Sequence, residues 1–185
     1  MHQSEKDIKE ELLIINQAKK NPEVFGFLYE KYYKYIFLFI NKRVEDQHTT
    51  SDLTSQVFLK ALIALPQYKS KGVPFSAWLF RIASNQVNAF FRQSKNKRSI
   101  SLEEKHIELL FEQVDENLPP KNKTDTLIAL LNHLDSDDVE LLELRFFEER
   151  PFKEVGFILG ISENLAKTKT YRLLQKMKKL LLQKQ

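Results

Sequence analysis

The 185-residue chain contains no cysteine, one tryptophan and only four glycines. The first absence removes disulfides, thiolate metal sites and cysteine nucleophiles together, and it fits a reducing compartment. Long apolar runs are missing as well. The opening MHQSEKDIKEELLIINQAKK puts charges ahead of a four-residue apolar run, too short for a signal peptide or a membrane span. Nothing near about 18 consecutive apolar residues follows, so a cytoplasmic location is expected. His2, His48, His106 and His133 are scattered, with no HExxH pattern and no acid at ligand spacing. There is no glycine-rich phosphate loop. The adjacent acids Glu103–Glu104 and Asp137–Asp138 read as solvated surface. No enzymatic activity, cofactor, metal site or small-molecule substrate is expected.

What is present is charge, unevenly placed. The net charge is only +4. Residues 152–185 carry eight Lys or Arg against Glu154 and Glu163, which leaves +6. Residues 92–98, RQSKNKR, carry +4 without an acid, while residues 99–120 hold six acids against Lys105, which leaves −5. Two basic islands around an acidic segment suggest two surfaces for a polyanion. Solvated helix ends are the alternative, and placement within the elements must decide.

Helical periodicity dominates the chain. Ile8–Ala18 is a short amphipathic helix, and Asn21-Pro22 suits the cap and first position of the next. EVFGFLYEKYYKYIFLFINKRV reads as a central core helix. Ser51 or Asp52 opens DLTSQVFLKALIAL, which ends before Pro66. YKSKGVP is a loop broken by Gly72 and Pro74, and FSAWLFRIASNQVNAFFRQSKNKR is a helix that becomes more basic along its length. Trp78, in register with Ile82, reads as core. SISLEEKHIELLFEQVDENLPPKNK has weak periodicity and a Pro-Pro pair, which reads as a linker. Thr124–Asp135, Ser136–Glu149, Pro151–Leu159 and Ser162–Leu182 complete the helices. The expected fold is all-α, two small helical domains at 1–98 and 123–185 joined by a flexible acidic linker at 99–122.

Two of the four glycines lie in EVGFILGISENLAKTKTYRLL. Gly156 interrupts an apolar helical run, where glycine costs about 1 kcal/mol relative to alanine. A helix-turn-helix explains it, because its helices cross steeply and closely around a tight turn. Gly156 supplies the crossing point, Gly160 a left-handed cap, and Ser162 the cap of the second helix. That second helix has a buried row near Ala166, Thr170, Leu173 and Met177. Lys167, Thr168, Tyr171 and Arg172 form an exposed arc suited to a DNA major groove.

From Phe152 to Lys178 the sequence resembles region 4 of extracytoplasmic-function sigma factors, members of the bacterial sigma-70 family. SDLTSQVFLKAL resembles that family's core-polymerase-binding helix, and FSAWLFRIASNQVNAFFRQSKNKR its promoter −10 segment. The resemblance covers nearly the whole chain in the family's order, as region 2, linker and region 4. It implies a sigma factor that binds core RNA polymerase, through the clamp helices of the β′ subunit and the flap of the β subunit. It also implies promoter DNA as a partner, with strand opening at −10, and restraint by an anti-sigma factor. Carried residue by residue, it places Lys167, Thr168, Lys169, Tyr171, Arg172 and Lys176 at the −35 element. Tyr68, Lys69, Lys71, Asn85, Asn88, Arg92 and Lys95 fall at the −10 element. Asp52, Leu53, Gln56, Val57, Leu59 and Lys60 fall at the polymerase, although one face of that helix must turn inward.

The alternative is a conventional helix-turn-helix regulator that binds duplex DNA at paired half-sites. It has no need of the second basic helix after an aromatic loop. The acidic segment is either a spacer or a competitor for the neighbouring cations, to which a tether holds it at up to about millimolar effective concentration. Converting Glu103, Glu104, Glu108, Glu112, Asp115 and Glu116 to amides separates these. A competitor's loss raises the free protein's affinity for promoter duplex at low salt, and unchanged affinity across a salt titration leaves a spacer.

Overall fold

The computed structural model describes residues 5–44, 46–94, 104–114 and 123–182, and every regular element among them is helical. The chain divides into two compact units at 101/102.

In the N-terminal unit, α1 (Glu5–Ala18) leads into a 3₁₀ turn at Pro22–Val24. Asn21 caps that turn by accepting the Glu23 amide at 3.1 Å, with Pro22 in the first position. Then follow α2 (Phe25–Val44), α3 (Gln47–Ala64) and α4 (Phe75–Ser94). Helix α3 starts a turn earlier than expected because Asp46 caps it, accepting the Thr49 amide at 2.7 Å. Bonds from the Thr49 hydroxyl and amide hold the Asp46 carboxyl below the usual carboxylate range. Helices α2, α3 and α4 pack on one another around Tyr32, Ile36, Ile40, Val57, Ala61, Ala77, Leu79 and Ala83, all essentially without exposure. Glu11 and Arg43, both buried, find partners inside, as burial demands. Buried Glu11 accepts from the Tyr32 hydroxyl and from Lys31 Nζ. The Arg43 guanidinium lies 3.5 Å over the Phe39 ring and donates to the Phe39 carbonyl at 2.6 Å.

The C-terminal unit contains α5 (Glu104–Val114), α6 (Lys123–Leu131), α7 (Ser136–Leu142), α8 (Phe152–Leu159) and α9 (Glu163–Leu182). Helix α5 falls within the segment expected to be a linker. It packs on α6, α9 and the turn after α7, burying Ile107, Leu110, Phe111 and Val114. His106 stacks on Phe147 at 4.7 Å. The apolar spacing of three and four residues gives this short helix one face to bury; residues 99–103 and 115–122 lie outside the described residues. The single helix expected over Ser136–Glu149 is instead α7 followed by a π turn at Glu143–Phe147, closed by Glu149 at φ 52°. Arg150 and Glu154, both buried, pair at 2.6 Å and hold the start of α8.

The helix-turn-helix stands as the glycines suggest. Gly160 adopts φ 72° and caps α8, and Ile161 donates to the Gly156 carbonyl at 2.9 Å. The Ser162 hydroxyl oxygen accepts the Leu165 amide at 3.1 Å, opening α9. A Cβ on Gly156 would lie 2.8 Å from the Ile161 carbonyl oxygen and 3.1 Å from the Glu163 nitrogen. The obstacle is backbone, so it cannot swing aside.

Gly156→Ala is therefore expected to destabilise the C-terminal unit by about 1–3 kcal/mol through overpacking. Gly26, in α2, has nothing within 4 Å of the same position, so Gly26→Ala is expected to stabilise by up to about 1 kcal/mol. Urea unfolding of both variants checks the pair; equal stability of Gly156→Ala and wild type contradicts the close approach.

Candidate nucleic-acid interface

Helix α9 buries Ala166, Thr170, Leu173, Leu174, Met177 and Leu181, and the Thr170 hydroxyl is tied to the Ala166 carbonyl at 2.9 Å. At 100° per residue, the opposite face is centred on Thr168 and Arg172 and continues through Gln175 and Lys179. Lys167 and Tyr171 flank it on one side. All six are exposed, and Tyr171 is 53% so. Its ring lies 6.4 Å from Phe152 at the start of α8. Lys169 and Lys176 sit at the other margin and are partly engaged by their own unit. Lys169 Nζ lies 3.4 Å from the Asp138 carboxylate, and Lys176 Nζ 3.4 Å from the His133 carbonyl. The arc thus gathers cationic and neutral donors around an aromatic edge, with the one acid of the helix, Glu163, in its first turn. Such a set can hold phosphates and reach base edges. Gln175 and Lys179 share the face and were not among the expected contacts; helical spacing alone would have included them.

Helix α4 presents a second row. Trp78, Arg81, Asn85, Asn88 and Arg92 recur at steps of three and four and line the face opposite buried Phe80, Ala83 and Val87. Asn85 and Arg92 are exposed, and Arg81 and Asn88 half-buried. Lys69 and Lys71 are exposed in the preceding loop. Trp78 is half-buried rather than core; Tyr68 at 4.9 Å and Phe75 at 5.2 Å hold its ring where the loop meets the helix. Arg81, missed from sequence, joins the row by its spacing. Lys95 lies outside the described residues.

Tyr68 needs correction. Expected as a −10 contact, it is only 7% exposed and packs edge-on against Phe75 at 5.3 Å. Lys19 fixes its backbone by donating to the Tyr68 carbonyl at 2.7 Å. Tyr68 is part of the loop's foundation. Burial, reinforced by the charge of Glu11, pushes its phenol up to about 12.

Helix α3 corrects two further residues. Leu53 and Val57 are buried against the bundle, on the inward face of the helix. Asp52, Gln56, Leu59 and Lys60 are exposed. Leu59 at 58% exposure and Ile63 at 70% continue the line of Asp52 and Gln56 at helical spacing. This face therefore mixes polar and apolar side chains, a composition that suits a protein partner better than phosphate.

Residues 28–97 match the family model for sigma-70 region 2, and residues 124–177 match that for sigma-70 region 4. The first match ends with α4 and the second begins at α6, so α5 falls between them. The ECF RNA polymerase sigma factor BldN of Streptomyces coelicolor is 28% identical over 168 residues, 86% of this chain and 61% of that protein; the chain thus spans less than two thirds of that relative's length. The ECF RNA polymerase sigma factor ShbA of Streptomyces griseus is 30% identical over 141 residues, 72% of each chain. Among solved structures, CnrH in complex with the cytosolic domain of CnrY shares the fold, with a TM-score of 0.60 at 21% identity over 91% of this chain and 95% of that one.

The place of Tyr68 has a consequence at high pH. Its phenol is held neutral in the fold, so its contribution is complete below its ordinary pKa of 10.0 and is lost as pH rises towards about 12. Thermal unfolding of the full chain between those values is expected to show a steeper loss for wild type than for Tyr68→Phe. Parallel losses in both proteins contradict the assignment.

Proposed function

The chain belongs to the extracytoplasmic-function sigma factors of the sigma-70 family, and from that premise we propose that it binds core RNA polymerase, directs it to promoters with −35 and −10 elements and opens the −10 strands. The observation that carries this reading is that the two family matches fall in order on two separate units, each with a long helix whose outward face suits its assigned partner.

Helix α9 reads the −35 element as duplex. Arg172 and Lys167 reach base edges, Thr168 and Tyr171 hold the register, and Lys169, Lys176, Lys178 and Lys179 meet phosphates. The −10 element is held as a single strand, which calls for a stacking surface beside donors and cations. Trp78 supplies the ring, Asn85 and Asn88 the amides, and Arg92, Lys69 and Lys71 the charge. The polymerase docks on Asp52, Gln56, Leu59 and Lys60 of α3 through its β′ clamp helices, and its β flap meets the C-terminal unit. Exposed Leu59 and Ile63 need cover when polymerase is absent, and an anti-sigma factor would give it. The chemistry of transcription stays with the polymerase. A conventional regulator is disfavoured by the α4 row, which duplex binding at paired half-sites leaves without a task.

Run-off transcription with core enzyme tests the reading: transcript should depend on this protein, and transcript independent of it refutes the proposal. In the same assay Arg172→Ala and Lys167→Ala are expected to cost about 1–3 kcal/mol each and to relax preference at one −35 position. Lys178→Ala should lower activity evenly across promoters and flatten the salt slope. Equal, sequence-independent losses in all three would refute the assigned arc.

A further inference from the structure

On the seam between α3 and α4 one polar side chain is buried that none of the assigned surfaces uses. Gln86 is 8% exposed. Its Nε2 donates to Gln56 Oε1 at 2.9 Å, and its Oε1 accepts from Lys60 Nζ. Gln56 and Lys60 stand one turn apart on α3, and both are exposed on the face that carries Leu59.

The chemistry of the three groups fixes which way each one points. A lysine ammonium only donates, so the Gln86 amide must turn its oxygen to Lys60. Its nitrogen then faces Gln56, which must answer with its own oxygen. That leaves the Gln56 NH₂ group and the remaining Lys60 N–H bonds directed away from the seam. Burial makes the arrangement firm, because turning the Gln86 amide over would break both bonds at once, leaving donor against donor at Lys60 and acceptor against acceptor at Gln56. A surface glutamine and a surface lysine would otherwise sample many rotamers.

We propose that Gln86, a residue of the −10 helix, is a positioning residue for polymerase docking: it holds Gln56 and Lys60 so that α3 offers hydrogen-bond donors to carbonyl and carboxylate groups of the polymerase. The inference rests on the sigma-factor reading above. It makes α4 serve both partners, the strand through its Trp78–Arg92 row and the polymerase through Gln86 on its inner side.

The test titrates labelled full-length protein with core RNA polymerase. Gln86→Met keeps length and burial but removes both bonds, and should weaken binding about five- to tenfold. Gln86→Glu keeps an acceptor for Lys60 and should recover part of that loss, with Gln56 now free to turn over. In a Lys60→Met background, Gln86→Met should cost less than about twofold, since the charge it positions is gone. Should Gln86→Met lower the unfolding midpoint enough to obscure binding, the exposed pair Gln56→Met and Lys60→Met provides the same cycle and should be non-additive. Wild-type affinity in Gln86→Met, additive losses in the cycle, or no recovery in Gln86→Glu would each overturn the positioning role. Failure of the wild-type chain to bind core polymerase would instead remove the sigma-factor reading itself, and this inference with it.

Discussion

A helix in a small bundle can bury only one side, and that constraint decides what each long helix of this protein offers to a partner. Val57 in α3, Ala83 in α4 and Ala166 in α9 are wholly buried. Once they are placed, the helical period leaves no choice about what faces outward. The consequences are chemical. Helix α3 turns out a mixed apolar and polar line, α4 a row of amides and arginines beginning at a tryptophan, and α9 a basic arc with an aromatic edge. Three different partners suit these faces: a protein surface, a single strand and a duplex groove.

The C-terminal unit adds a second constraint at its turn. The backbone from Ile161 to Glu163 passes so near Gly156 that any side chain there would meet it. Close packing of α8 on the start of α9 sets the pitch of α9, and the buried Arg150–Glu154 pair anchors the other end of α8. Against the same unit lies α5, from the acidic stretch of the sequence, with Glu112 exposed and an apolar face inward. Glu112 is thereby held on the same unit as the basic arc of α9.

Much of this was legible in the sequence. Helical period, the Asn21-Pro22 start and the Gly156–Gly160–Ser162 turn each follow from local chemistry, and local chemistry is what a single sequence records. The failures have one physical cause, which is that burial is settled by distant neighbours. Tyr68 carries an aromatic ring in a basic loop, and only the positions of Phe75, Trp78 and Lys19 show that the ring turns inward. Leu53 and Val57 share a motif with Gln56 and Lys60 but lie on its inner side. The Pro119–Pro120 pair and weak periodicity drew the stretch around α5 towards a linker, yet Ile107, Leu110, Phe111 and Val114 needed only the surface of α6 and α9 to become a core. The bond between Gln56 and Gln86 joins residues 30 apart in sequence, a distance at which no periodicity speaks.

In the proposed function one chain combines a duplex-reading helix with a helix that holds an opened strand, both made useful by polymerase docking on α3. Permanganate reactivity of thymines across a cognate promoter measures this most directly, since permanganate attacks unpaired thymine. With core polymerase and this protein together, thymines of the −10 element should become reactive while those of the −35 element, still paired, stay unreactive, and replacing Asn85 and Arg92 by alanine should reduce the −10 reactivity. Unreactive −10 thymines in the presence of both proteins, or reactivity unaffected by the α4 substitutions, would contradict it.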